Sequence, residues 1–128
     1  MKIASMVARY LLGIIFLVFG LNHYLNFIPM GPMPTGLAGQ FMGSLIQSHY
    51  MYVVAFFEVV PAILLLVNRY VPLALTFLAP VIFNILLVGI LISTMALPMA
   101  IFIIILWFLA FYRVRSAFAG IFQQRLAD

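Results

Sequence analysis

One carboxylic acid, Glu58, lies in the middle of a long apolar run. Placing a charge at the centre of a membrane helix costs about 2.5–3.5 kcal/mol even on insertion scales, so an acid there points to a partner or a site. The other strongly polar groups in apolar runs are Asn22, His23 and Asn26 in the first and Asn84 in the third. A carboxyl beside an imidazole can take up and pass on a proton, and carboxamides can orient a polar head by donating and accepting together. We therefore expect Glu58 and His23 to be the reactive pair and Asn22, Asn26 and Asn84 to hold a ligand. Gln40, on a short neighbouring helix, completes that expected ligand set.

Other chemistries lack their residues. With no cysteine there are no disulfides, thiolate nucleophiles or cysteine-held iron–sulfur clusters. A membrane haem needs two opposed histidines, whereas His23 and His49 are the only two and both fall near one surface. No glycine-rich phosphate loop or paired-histidine zinc motif occurs, so neither a nucleotide nor a metal is expected.

The elements that must position these residues are membrane helices. The chain is 68% hydrophobic and 6% charged over 128 residues, against about 25% charged in a soluble domain. Apolar stretches at 10–27, 50–67, 71–92 and 97–112 are each about long enough to cross a hydrocarbon layer of roughly 30 Å. All six tyrosines sit at the ends of these stretches, where amphipathic rings favour the interface. The start resembles a signal peptide but has no small-residue cleavage pattern, and we expect a retained first span. After a proline- and glycine-rich turn, residues 37–48 place Leu37, Phe41, Met42 and Leu45 at helical spacing, with Gln40, Ser44, Gln47 and Ser48 opposite. The expected fold is all-α: an integral membrane four-helix bundle, one domain over 1–128, with a short amphipathic helix on the outer side between spans one and two.

Charge fixes the expected orientation. Lys2, Arg9, Arg69, Arg113, Arg115 and Arg125 are scattered between apolar runs rather than gathered in a patch, which argues against nucleic acid. With four spans they share one side, so the positive-inside rule predicts cytoplasmic termini in a bacterial-type inner (plasma) membrane. Counted from that side at 1.5 Å per residue, Asn22, Asn84 and Glu58 rise roughly 20, 20 and 16 Å. They fall near one level, in the outer half of the bilayer, under the short helix. Contacts among them as plain helix-to-helix glue average only about 0.6 kcal/mol each and need no acid, which favours a site. Gly13, Gly20, Ala62, Ala74, Ala79 and Gly89 are small enough to let helices approach, and Pro61 and Pro80 each free a carbonyl one turn earlier.

The segments Arg9-Tyr-Leu-Leu-Gly13, Gly20-Leu-Asn-His23, Phe57-Glu58-Val-Val-Pro61 and Ala79-Pro-Val-Ile-Phe-Asn84 resemble the DoxX family of small four-helix membrane proteins, across nearly the whole chain. One departure is Asn68, where relatives often carry glycine before the basic residue of the turn. The resemblance implies a membrane subunit of an oxidoreductase system with quinone as acceptor. The expected function is thus a redox-associated subunit with a quinone- or lipid-binding site, an oxidoreductase partner and a homo-oligomeric state among its associations. The alternatives are a small proton-coupled transporter or channel using Glu58, and a scaffold or assembly factor without a small-molecule ligand.

Overall fold

The computed structural model describes residues 2–27 and 35–122. Their chain runs through α1 (Lys2–Leu25), α2 (Gly36–Gln47), α3 (Tyr50–Leu66), α4 (Val71–Leu91) and α5 (Leu97–Val114), with 3-10 turns at Thr94–Ala96 and Arg115–Phe122. No strand occurs among the described residues. The proline-rich turn at 28–34 and the end of the chain, with Arg125, lie outside them.

The four longer helices form a ring in chain order: α1 packs on α3, α3 on α4, α4 on α5, and α5 back on α1. Short turns make α3 and α4, and α4 and α5, antiparallel neighbours. The α3–α4 turn needs left-handed backbone at Asn68 (φ 57°) and Tyr70 (φ 53°). Asparagine is enriched in that region among residues that carry a Cβ, which suits Asn68 to the turn.

Apolar residues occupy both the inside and the outside. Leu12, Phe16, Leu65, Leu75 and Leu78 fill the centre, while Ile14, Phe56, Ile63, Phe83, Ile105 and Phe108 stand exposed around it. A water-facing bundle would segregate these classes. Lipid accepts both surfaces. Three helices, Lys2–Leu25, Val71–Leu91 and the continuous Thr94–Ile121, are long and apolar enough to cross a membrane, and α2 with α3 adds a bent fourth. At about 1.5 Å per residue the 17 residues of α3 reach roughly 26 Å, close to the hydrocarbon thickness. The bundle is therefore of the membrane-spanning kind, and all six tyrosines are exposed, three toward each end.

The first helix begins at Lys2, not at Tyr10 as the hydropathy boundary suggests. Its first turns are packed: Ser5 Oγ donates to the Ala110 carbonyl of α5 at 3.5 Å, and Ala8 is buried. Arg9 interrupts the apolar pattern without interrupting the helix. Its guanidinium donates to the Leu65 carbonyl in the last turn of α3, which also accepts from the Asn68 N–H at 3.3 Å, and its carbon lies 4.3 Å over the Tyr10 ring. The helix ends at Leu25 because Asn26 turns left-handed (φ 53°).

Glycines set how near α1 comes to α3. A Cβ on Gly13 would meet Leu66 Cγ at 2.9 Å, and one on Gly20 would meet Val59 Cγ2 at 2.6 Å and Glu58 Cβ at 3.2 Å. The close approach at Gly20 presses α1 against the stem of Glu58. Gly89 does the same for the α4–α5 corner, where a Cβ would come 3.0 Å from Leu97 Cα.

At its start α3 bends 83° from α2, through His49 with φ 62°. The short helix thus lies nearly crosswise to the bundle. Its Phe41, Met42 and Leu45 are half-buried and face the space between α3 and α4, as the helical spacing predicts, but Leu37 is exposed.

Candidate functional site

A groove of about 740 Å³ runs between α3 and α4 under α2. Phe41, Met42 and Leu45 close it from α2, with Val54 and Phe57 on the α3 wall. Phe77, Val81 and Ile85 form the α4 wall. Against these apolar walls stand three polar side chains within the spans, Glu58, Thr76 and Asn84, with Tyr50 at the first residue of α3. Exposure of Phe57 and Phe77 along the seam opens it sideways, toward where acyl chains pack in a membrane.

Glu58 is the buried member of the three, with a side chain only 7% exposed. Its Oε2 lies 3.8 Å from His23 Nε2. That separation permits charge attraction but is too long for a hydrogen bond. Oε2 has no hydrogen-bond partner among the described residues. A buried carboxyl oxygen left unmatched costs about 1–3 kcal/mol or more.

Asn84 is exposed on the same groove, and its Nδ2 donates to the Pro80 carbonyl at 2.9 Å. The carboxamide oxygen and the second amide hydrogen are not used by that bond. Thr76 Oγ1 donates to the Pro72 carbonyl at 2.8 Å, leaving its lone pairs as acceptors. Pro61 and Pro80 cannot donate to the carbonyls four residues earlier, on Phe57 and Thr76, and both of those residues line the groove. The groove lining therefore offers a carboxyl, a carboxamide and the hydroxyls of Thr76 and Tyr50, with no Lys or Arg.

The residues chosen from sequence divide into two faces of one carboxyl. Glu58 and Asn84 meet on the α3–α4 groove, whereas His23 reaches Glu58 from α1. Asn22 is buried on the α1 side and is engaged in an interaction of its own. Asn26 and Gln40 are exposed and do not line the groove: Asn26 closes α1, its N–H donating to the Asn22 carbonyl at 2.9 Å, and Gln40 is on the face of α2 turned away. Thr76 was missed by the sequence reading because a threonine in a span commonly bonds its own helix, as it does here. Its spacing of eight from Asn84, two turns along one helix face, was the available signal.

Beside the site, Tyr24 and Tyr52 stack at 5.4 Å, Tyr24 Oη donates to the Tyr52 carbonyl at 2.5 Å, and His49 stacks on Tyr52 at 5.6 Å. These contacts tie the end of α1 to the start of α3 and hold His23, one residue before Tyr24, at the height of Glu58. His49 belongs to this clamp, away from the groove lining. Trp107 is likewise structural, its Nε1 donating to the Leu75 carbonyl at 3.0 Å. No group of three or more metal-ligating side chains occurs among the described residues.

The class these features define is a small helical membrane protein with a polar pocket in the wall between α3 and α4. No protein-family model, curated protein or solved structure matches the chain.

Proposed function

We propose that this protein binds the neutral, oxygen-bearing head of a bilayer-resident amphiphile, a quinone above all, as a redox-associated membrane subunit of the DoxX type. The observation that carries the reading is the buried Glu58 carboxyl on the lining of an apolar groove open to the lipid side, its Oε2 turned toward His23 without a hydrogen bond. A head entering between α3 and α4 meets Glu58, Asn84 and Thr76, and its tail stays among the phenylalanines and in the surrounding lipid. Phospholipid phosphates fit poorly, because no basic side chain lines the groove. A quinone carbonyl needs only a donor. The asparagine amide and a protonated Glu58 supply one each.

A transported solute requires a path to both faces. Between Glu58 and the basic end the bundle centre is filled by buried Leu12, Phe16, Leu65, Leu75 and Leu78, which supports a laterally loaded site over a channel. A scaffold needs no groove at all. The redox partner is a subunit that supplies or removes electrons, and in this reading Glu58 and His23 handle protons.

The test is extraction of the purified protein followed by mass spectrometry. We expect one quinone-class molecule retained at close to one per chain. Recovery of only bulk phospholipids, in the proportions of the membrane, would count against the reading.

We further propose that the basic end, with Lys2, Arg69, Arg113 and Arg115, faces the cytoplasm of an inner-membrane protein. Single cysteines at Ser44 and Ser116 should differ in intact cells, position 44 reacting with an impermeant thiol reagent and position 116 protected. The reverse pattern would invert the topology.

A further inference from the structure

We infer that the His23–Glu58 pair distinguishes the two redox forms of the amphiphile in the groove, by moving one proton between its members according to whether the head accepts or donates a hydrogen bond. The inference rests on the reading of the groove as an amphiphile site. Its geometry comes from Gly20, whose missing side chain lets α1 close on α3 at the level of Glu58. One carboxyl then faces two ways: toward His23 Nε2 at 3.8 Å, and into the groove.

A single proton has two places in such a pair, and it passes between them when the ring and the carboxyl, 3.8 Å apart here, close to hydrogen-bond distance. With the proton on Glu58, the neutral carboxyl donates to a quinone carbonyl and His23 is a neutral imidazole. With the proton on His23, the carboxylate accepts from a quinol hydroxyl and faces an imidazolium. The atoms are the same and the pair carries no net charge in either arrangement, so the shift moves no net charge into lipid. No electron transfer is required of this chain, because the pair follows a redox state set by the partner enzyme.

Few other groups compete for that proton. Neither α2 nor α4 brings a titratable side chain to the groove, and Tyr50, at the start of α3, is the other titratable residue on its lining. On α1 the neighbouring Tyr24 donates its hydroxyl to the Tyr52 carbonyl. Asn84 serves either form, having a donor and an acceptor.

With His23 and His49 the only histidines, the pair can be watched directly. The experiment is nitrogen-15 NMR of histidine-labelled protein in lipid nanodiscs, with His49→Asn to assign the signals. A short-tailed benzoquinone and, anaerobically, its quinol are the probes, and their binding is followed separately by equilibrium dialysis. With the quinone, the His23 ring nitrogens should show the widely split resonances of a neutral imidazole. With the quinol they should collapse to the close pair of an imidazolium. In Glu58→Gln, which has no proton to yield, His23 should be neutral with either form. An unchanged His23 state while both forms bind to the native protein, or a shift that survives in Glu58→Gln, would overturn the inference and leave the groove reading standing. If neither form binds, the groove reading fails and the inference with it.

Discussion

Glu58→Leu is expected to make the protein more stable and to empty it of ligand. Stability and function part at this residue because its carboxyl is buried with one oxygen unmatched. Leucine has similar volume and suits the walls built by Phe57, Phe77 and Val81. Relief of a buried unmatched acceptor is worth about 1–3 kcal/mol. His23 remains partly exposed at 18% of its side chain and can be solvated once its partner is gone. Thermal unfolding in detergent should therefore shift upward by several degrees, while the amphiphile recovered on extraction falls at least tenfold. A structural glue role predicts the opposite sign, a loss of stability with no change in the extract.

Gly20→Leu should be the most damaging single change in α1. Its Cβ alone would stand 2.6 Å from Val59 Cγ2 and 3.3 Å from the Ala55 carbonyl, and valine, branched at Cβ, has little freedom to turn away. Overpacking of this kind costs about 1–3 kcal/mol, occasionally more. It also pushes His23 away from Glu58. Gly43→Ala is the matched control: a Cβ there meets nothing within 4 Å, and replacing a helical glycine should gain about 0.5–1 kcal/mol. Thermal midpoints of the two variants should move in opposite directions. Equal shifts would show that the α1–α3 contact is not limited by Gly20.

Helix number and order were legible in this sequence because lipid leaves few choices. Once soluble surface is excluded, hydropathy and tyrosine placement bound the spans, and short turns fix their antiparallel order. The start of α1 was not legible in the same way. A hydropathy boundary stops at Arg9, but the guanidinium is accommodated by the end of α3 and the helix continues back to Lys2. The level of Glu58 beside Asn84 followed from counting residues, since rise per residue is nearly constant. Which polar groups share a face did not follow. That depends on how each helix is rotated in the ring, and in apolar spans with residues of one kind on every side the sequence carries little rotational signal. Asn26 illustrates the difficulty. One turn from Asn22 it reads as a second ligand on one face, yet the helix stops at Leu25 and the asparagine is spent on the left-handed turn. Gln40 was drawn toward the site by its helix, but only the apolar side of that helix faces the groove.

The central claim, that the α3–α4 groove holds the head of a bilayer amphiphile at Glu58, is tested most directly by photolabelling with a benzoquinone analogue that carries an azide on its ring. Illuminated in native membranes, the analogue should attach within α3 and α4 at the residues around Glu58, Thr76 and Asn84. Excess unlabelled quinone should suppress the adducts, and Glu58→Leu should abolish them. Adducts spread over the exposed phenylalanines of every helix, or gathered at Phe83 and Phe108 between α4 and α5 and unaffected by competitor, would contradict it.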